Sequence, residues 1–382
     1  MKMKSLLVGG MAMLLCITSC KDNGKAEDPL ASSGRTQRTE NLLTNLKAYA
    51  GKGYLFGHHD DTVYGIGWFG DEDRSDVKTV CGDYPGLITF DLGHLELGDT
   101  LNLDSVPFSR IRKETIKQYE RGGMISYSWH LDNPLTGGNA WDVSDSTVVE
   151  SVLKGGAQHE KFLGWLDKVA DFMNSLETPY GVKVPVLFRP WHEHTGSWFW
   201  WGQNLCTTQQ YKDLWALTED RLKEKGVTNV LYAYSPGTEC KGDAEKYLER
   251  YPGDDRIDLM GFDCYCSGDP ADSITSIAYQ EKLATGLKLV CGLAKEHGKA
   301  AAVTETGYEG IPMENWWTTV LAPVLNQYPL SYVQVWRNAF NKAGHFYAPY
   351  PGQISTEDFV KFYNDDKTLF AKDLNALYLK KE

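Results

Sequence analysis

Short runs rich in β-branched and aromatic residues recur along the chain, and most are followed by a stretch whose apolar positions repeat at helical spacing. The runs fall at Tyr54–Asp61, Gly86–Glu96, Gly123–His130, Val184–Glu193, Val230–Gly237, Leu259–Tyr265, Ala301–Tyr308 and Tyr332–Asn338. Between and after them, Arg110–Arg121, Gln158–Leu176, Gln209–Lys225, Ile277–His297, Asn315–Gln327 and Ser355–Leu379 predict amphipathic helices. Thr207 and Thr208 stand where an N-cap is needed, and Gly226 and Gly298 stand where helices end. Strands alternating with helices imply a parallel sheet with crossovers, and eight such units predict one (β/α)8 barrel over residues 39–382. A doubly wound sheet is disfavoured, because no Gly-x-Gly-x-x-Gly run follows the first strand. No Pro/Gly/Ser-rich linker divides the chain beyond residue 38.

The first residues read as an address. Lys2 and Lys4 precede an apolar stretch from Leu6 to Ile17, too short to cross a bilayer as a mature helix. It ends in Ile17-Thr18-Ser19-Cys20, which resembles a bacterial lipobox; an ordinary secretory signal is the alternative. Residues 1–19 are then a leader, Cys20 is the lipidated residue, and 20–38, with Gly24, Pro29, Ser32, Ser33 and Gly34, is a flexible tether. The expected product is a cell-envelope lipoprotein, leaning to the periplasmic side rather than the outer surface, that touches membrane only through its anchor. A monomer is the default.

Charge narrows the partners. The chain has 39 basic and 51 acidic side chains, net −12; losing a leader with two lysines and no acid takes it to −14. Such a surface repels phosphate, which excludes holding nucleic acid by counterion release and leaves neutral partners unpenalised. Of the eight cysteines, six lie beyond the leader, and none has the paired spacing of a zinc site. Cys264 and Cys266 point to one face of a strand, and the cysteines are expected as small buried side chains rather than disulfides.

Barrels of this kind carry their chemistry at the C-terminal ends of the strands. The first run ends in His58-His59-Asp60-Asp61, the third in Trp129-His130, and the fourth in Arg189-Pro190-Trp191-His192-Glu193. The sixth gives Asp263-Cys264-Tyr265, the seventh Thr304-Glu305 and the eighth Trp336-Arg337. Glu193 and Glu305, on the fourth and seventh strands, can face each other across the barrel mouth as a nucleophile and an acid/base. Their environments must then differ, one carboxyl starting protonated and the other charged. Trp191, Trp198, Trp200 and Trp201 crowd one segment, with Trp141 and Trp336 further off. Aromatic faces stack on the apolar faces of sugars, although consecutive rings cannot all face a cleft.

The segment Arg189-Pro190-Trp191-His192-Glu193-His194-Thr195-Gly196-Ser197-Trp198-Phe199-Trp200-Trp201-Gly202 resembles the acid/base signature of glycoside hydrolase family 26, the β-mannanases. The likeness extends over roughly residues 40–380, through Ser128-Trp129-His130, Gly261-Phe262-Asp263-Cys264-Tyr265, Thr304-Glu305 and Gln334-Val335-Trp336-Arg337-Asn338. It implies a retaining double displacement on β-1,4-mannan or mannooligosaccharides, with Glu193 as acid/base and Glu305 as nucleophile; internal cleavage or release of mannobiose, and acceptance of galactose branches, both stay open because they depend on the loops. His192 and Tyr265 match residues that hydrogen-bond and orient the nucleophile. His130, Asp263, Trp198, Trp336 and Arg337 match positions lining the sugar subsites, and Trp141 is a looser match. The seventh strand reads Thr-Glu-Thr-Gly where the family has Ala/Ser-Glu-Phe-Gly, so the wall beside Glu305 is expected to differ. Hydrolysis by two carboxylates implies no cofactor and no metal.

The remaining polar groups attract weaker readings. Adjacent strand residues point to opposite faces, so His58, His59, Asp60 and Asp61 suit substrate contact or rim hydrogen bonds better than a metal. His192-Glu193-His194 lacks the His-Glu-x-x-His spacing of zinc proteases. Glu309 is a weak rival nucleophile in a loop, and Glu239 and Glu96 are distal-subsite contacts or rim charges. The competing functions are the same mechanism on xylan or mixed-linkage glucan, and a sugar-binding lipoprotein that has lost catalysis. A solute-binding protein would need two hinged lobes, which the pattern lacks.

Overall fold

The computed structural model describes residues 28–380. Eight parallel strands close into a barrel: β1 (Tyr54–His59), β2 (Leu87–Asp91), β3 (Met124–Ser128), β4 (Val186–Arg189), β5 (Val230–Tyr234), β6 (Leu259–Cys266), β7 (Ala300–Tyr308) and β8 (Tyr332–Val335). Each pairs with its sequence neighbour, and β8 returns to β1 through Leu55 opposite Tyr332 and His58 opposite Val335. β1 to β5, β7 and β8 are buried along their whole length, as parallel strands covered on both faces must be. The fold is the (β/α)8 barrel that the alternation predicts.

Most helices lie within a few residues of their sequence pattern: Phe108–Glu120, His159–Asn174, Thr208–Glu224 and Ser273–Glu296. Thr207 caps its helix in a full capping box with Gln210. Two expectations are corrected. Asn315–Gln327 divides into a π-helical turn, Trp317–Leu321, and a helix, Ala322–Leu325, beside Pro323, which has no N–H to give. Ser355–Leu379 is helical only over Thr356–Tyr363, since Asp365 turns back to accept from the Lys367 N–H (2.9 Å). The chain beyond it adds the short strand Thr368–Leu369 beside the start of β1.

The helix Gln37–Tyr49, which the sequence pattern did not register, lies under the N-terminal ends of the strands. Its Leu42 and Leu46 join Leu374, Leu377 and Tyr378 in closing the barrel floor, beneath Leu55, Leu87, Met124, Leu187, Leu231 and Leu259. Asn45 Nδ2 donates to the carbonyls of Ala376, Leu377 and Leu379. The segment read as tether is therefore folded in its last part: Arg35 makes two bonds to the buried Asp258 (2.7 and 2.8 Å), and Thr36 caps the helix. The leader, Cys20 and the first part of the tether lie outside the described residues. Cys81, Cys206, Cys240, Cys264, Cys266 and Cys291 are all free thiols. Among the described residues, no helix is long and apolar enough to cross a membrane. With its floor sealed, the barrel presents its chemistry at the opposite rim.

Candidate active site

Strand β4 carries one charged residue, Arg189, in an otherwise apolar run, and its side chain is fully buried. A lone buried guanidinium must find anions. Arg189 Nη1 donates to Asp263 Oδ2 (2.9 Å) at the end of β6, and Nη2 donates to Glu305 Oε1 on β7. Asp263 also accepts from Ser235 Oγ (3.0 Å) and Thr304 Oγ1 (2.7 Å). Tyr265 Oη donates to the other oxygen of Glu305 at 2.6 Å. Both Glu305 oxygens are thus held by donors, which fixes the carboxylate and compensates a negative charge on it.

Past β4 the chain turns sharply, with Trp191 at φ +56° and Glu193 at φ +51°. Left-handed backbone costs a residue with a side chain about 1–3 kcal/mol, so something must hold it. Buried side chains do so: Tyr211 Oη donates to the Trp191 carbonyl (2.7 Å) and Trp201 Nε1 to the His192 carbonyl (2.9 Å). The Glu193 N–H is fixed to the Ser235 carbonyl at 2.8 Å. Of the crowded tryptophans, Trp191, Trp200 and Trp201 are buried and brace this turn, whereas Trp198 is 41% exposed. Trp198 Nε1 donates to Glu193 Oε2 at 2.8 Å.

The turn brings Glu193 close to Glu305. One oxygen each of Glu193, Asp263 and Glu305 lies within 4.8 Å of the others. Low access to water, then the neighbouring Asp263 and Glu305, raise the Glu193 carboxyl well above the ordinary range, against the pull of Trp198 and Arg189. Three such acids could offer ligands to a cation, but Arg189 already supplies the positive charge between two of them.

Behind the acids, Asp91 at the end of β2 bonds Ser128 Oγ and His130 Nδ1, both at 2.6 Å, and accepts from the Gly93 N–H. Burial works to raise its carboxyl, but His130 and Ser128 outweigh this and hold it well below the usual range. The chain continues from His130 Nε2 to His192 Nε2 at 3.0 Å. Burial, and then Arg189, push His192 well below its ordinary pKa and keep it neutral. Trp141, 50% exposed, stacks on His130 with ring centres 5.3 Å apart.

The sequence-predicted residues converge on this rim, with corrections. His192 does not bond Glu305; its ring turns to His130, and Arg189 takes the place expected of it. Asp263 is a buried anchor whose bonds go to protein, and both ring nitrogens of His130 are occupied by protein partners. Trp336 stacks on His59 (4.1 Å), and Arg337 is clamped by Asp104 and the Tyr64 hydroxyl. Of the two departures from the family pattern, Thr304 anchors Asp263 (2.7 Å), and Thr306 faces outward and bonds Tyr279 of a packed helix, so Thr306 does not reshape the cleft wall. The next residue does bear on that wall: Gly307, at φ +143°, leaves room for Tyr347, which a Cβ there would meet at 2.5 Å. Tyr347 in turn packs edge-on to Tyr265.

The other polar groups separate. His58 pairs with Asp61 (2.7 Å), while His59 faces Asp60 and Trp336, so the four do not converge on a metal. His194 lies between Tyr211 and Tyr234, lowered to about 3 by burial, and faces away from Glu193's partners. Glu309 bonds His345. Glu96 is buried and is neither a rim charge nor a subsite contact: it accepts from Trp129 Nε1 (3.0 Å) and the Asp132 N–H, and burial pushes it up to about 7. Sequence reasoning missed Arg189, Asp91, Tyr64 and Asp104 as site residues. The signal for Arg189 was there, a single charge inside a strand otherwise built of Val, Leu and Phe.

A closed barrel with paired glutamates at the ends of β4 and β7, one kept protonated and one clamped by donors, defines the class of two-carboxylate glycoside hydrolases. Residues 31–308 match glycosyl hydrolase family 26, and the chain belongs to that family. A mannan endo-1,4-β-mannosidase of Bifidobacterium adolescentis is 32% identical over 364 residues, covering 90% of this chain and 35% of that protein. The Bacillus subtilis protein of the same description is 28% identical over 223 residues, 55% of this chain and 57% of its own. This chain thus spans well under two thirds of these curated relatives. Among solved structures, a GH26 β-mannanase from Bacteroides ovatus is 58% identical with a TM-score of 0.87, covering 91% of this chain and 98% of that one. The catalytic domain of a Bacillus GH26 endo-β-1,4-mannanase is 31% identical, TM-score 0.83, covering 94% and 98%.

Proposed function

We propose that the chain hydrolyses β-1,4-mannan or mannooligosaccharides with retention, Glu305 attacking the anomeric carbon and Glu193 serving as acid and then base. The observation that carries this is the approach of Glu193 and Glu305 within 4.8 Å in opposite electrostatic settings. Retaining glycosidases hold the pair about 5–5.5 Å apart, whereas inverting ones leave about 6.5–9.5 Å for a water. The names of the family relatives support mannan as the substrate.

The charges then drive the cycle. While Glu305 is charged it helps keep Glu193 protonated, ready to protonate the leaving oxygen. Attack turns Glu305 into an uncharged ester, and Arg189 and Tyr265 are freed from compensating it. Glu193, now deprotonated and relieved of one neighbouring negative charge, has its pKa lowered and can take a proton from water. That water opens the ester and restores both groups.

The test is to incubate the protein with linear mannan, xylan and mixed-linkage glucan and follow the products and their anomeric form by NMR. β-Configured mannooligosaccharides as first products are expected. Activity confined to xylan or glucan would replace the substrate, and α-configured first products would overturn the mechanism. The pH profile gives a second check. Trp198 donates to the ionised form of Glu193, so Trp198→Phe removes a stabiliser of that form and its pKa rises further. Since the acid must be protonated to act, the basic limb of kcat/KM should move to higher pH. A limb that stays or moves down would count against Glu193 as the acid.

A further inference from the structure

Asp91 is buried at the end of β2, yet it bonds the ring around which the aromatic walls of the rim are packed. Trp141 stacks on that ring, His130, while Phe199 and Trp336 meet it edge-on with centres 5.3 and 6.0 Å away. Four donors surround the Asp91 carboxylate. Oδ1 accepts from the backbone N–H of Gly93 (2.7 Å) and of His130 (3.2 Å). Oδ2 accepts from Ser128 Oγ and from His130 Nδ1, both at 2.6 Å. A carboxyl ringed by donors has no proton of its own to give, so His130 carries its proton on Nδ1.

That proton decides the next ring. His130 Nε2 and His192 Nε2 are 3.0 Å apart, and one proton must lie between them. A neutral His130 has spent its proton on Asp91, so His192 donates from Nε2 and its Nδ1 is bare. His192 Nδ1 is buried and has no hydrogen-bond partner among the described residues. A bare nitrogen is the form that suits such a place. A second proton on His130 would reverse the bond and leave His192 with a buried N–H that has no acceptor, in a ring already held neutral by burial and by Arg189. We propose that Asp91 is a positioning residue for the reaction, setting the tautomers of His130 and His192 in series beside Glu193.

Asp91→Asn gives this a sharp consequence. The two backbone N–H groups at Oδ1 accept only an oxygen there, so the amide nitrogen must turn toward Ser128 Oγ and His130 Nδ1. His130 Nδ1 then has to be bare and its proton moves to Nε2, which donates to His192; the His192 proton is driven to Nδ1. A change of one atom at β2, nearly isosteric, inverts both rings in turn.

The experiment labels the histidine rings with ¹⁵N and compares Asp91→Asn with the unchanged protein by NMR, beside their rates on mannotetraose. In the unchanged protein, His130 is expected protonated on Nδ1 and His192 on Nε2; the variant should show the reverse. Signals are assigned by their loss in His130→Phe and in His192→Phe. The variant's kcat should fall at least about tenfold while KM changes less than about threefold, because Asp91 lies behind the cleft wall and touches no sugar. A His192 Nδ1–H in the unchanged protein would overturn the proposal, whether or not the variant folds. So would a variant whose tautomers stay as they were, or one whose tautomers invert with kcat intact. The rate comparison rests on the hydrolytic reading above, and the spectra do not. If the unchanged protein cleaves another β-glycan and not mannan, the mannan reading falls, and the spectra with the rates on that glycan decide the role of Asp91.

Discussion

Replacing Glu305 by alanine is expected to abolish turnover on every substrate, by at least about 10⁴-fold, while mannooligosaccharides still bind. The nucleophile's loss cannot be made good by water, because with Glu305 gone no carboxylate remains on the face opposite the acid to activate it. Binding survives because the cleft walls, Trp141, Trp198, Trp336 and Arg337, stand on other loops and keep their own partners. The substitution does disturb the site, since Arg189 keeps only Asp263 as its acid partner and Tyr265 loses its acceptor. Glu305→Gln, which preserves shape, keeps an oxygen to accept from Arg189 and turns its amide N–H to donate to Tyr265 Oη, and so separates a folding defect from a chemical one. Calorimetric titration of each variant with mannotetraose, beside its rate, makes the check. Turnover near the unchanged level in either variant would remove Glu305 from the nucleophile's role.

Glu193→Ala should divide substrates by leaving group. Unactivated oligosaccharides need a proton on the departing oxygen, and losing a positioned acid costs about 10²–10⁴-fold. An activated aryl glycoside leaves as a stable anion, so its first step should be nearly unharmed and the covalent intermediate should then accumulate. The reason is that the same residue must activate water for the second step. A burst of aryl alcohol followed by a slow steady state is the expected trace, read by stopped-flow absorbance. Equal losses on both substrates, with no burst, would show that Glu193 acts through the geometry of the turn. That alternative has a physical basis, because Glu193 sits on left-handed backbone.

How much of this was legible in the sequence differs from element to element. The strands were readable because a buried parallel strand is an unbroken run of β-formers, and the barrel because their alternation with helices admits few topologies. The first helix escaped because Thr36–Tyr49 follows a stretch of Gly, Pro and Ser, and its apolar face, Leu42 and Leu46, is narrow. That face has meaning only against Leu374 and Leu377, more than 300 residues away in sequence and adjacent in space. The final helix was overextended because the apolar pattern persists through Leu379, while past the helix end Asp365 turns the chain by accepting from the Lys367 N–H.

The candidate site divides in the same way. The identities of Glu193 and Glu305 and their places at strand ends follow from local pattern, and the residue types state the chemistry on offer. Which groups meet is a matter of the closed barrel. Nothing local distinguishes His192, turned to His130, from Arg189, turned to Glu305, because the choice depends on where β3, β6 and β7 stand around β4. Asp91 lies on a strand with no other site residue, and only closure places it behind His130. The sequence by itself determined the strands, their alternation with helices and the acids and aromatics at their ends, because these depend on spacing along one chain. Tertiary structure alone decided which acid is kept protonated and which is clamped. Those states depend on burial and on charges brought from distant segments to within a few ångströms.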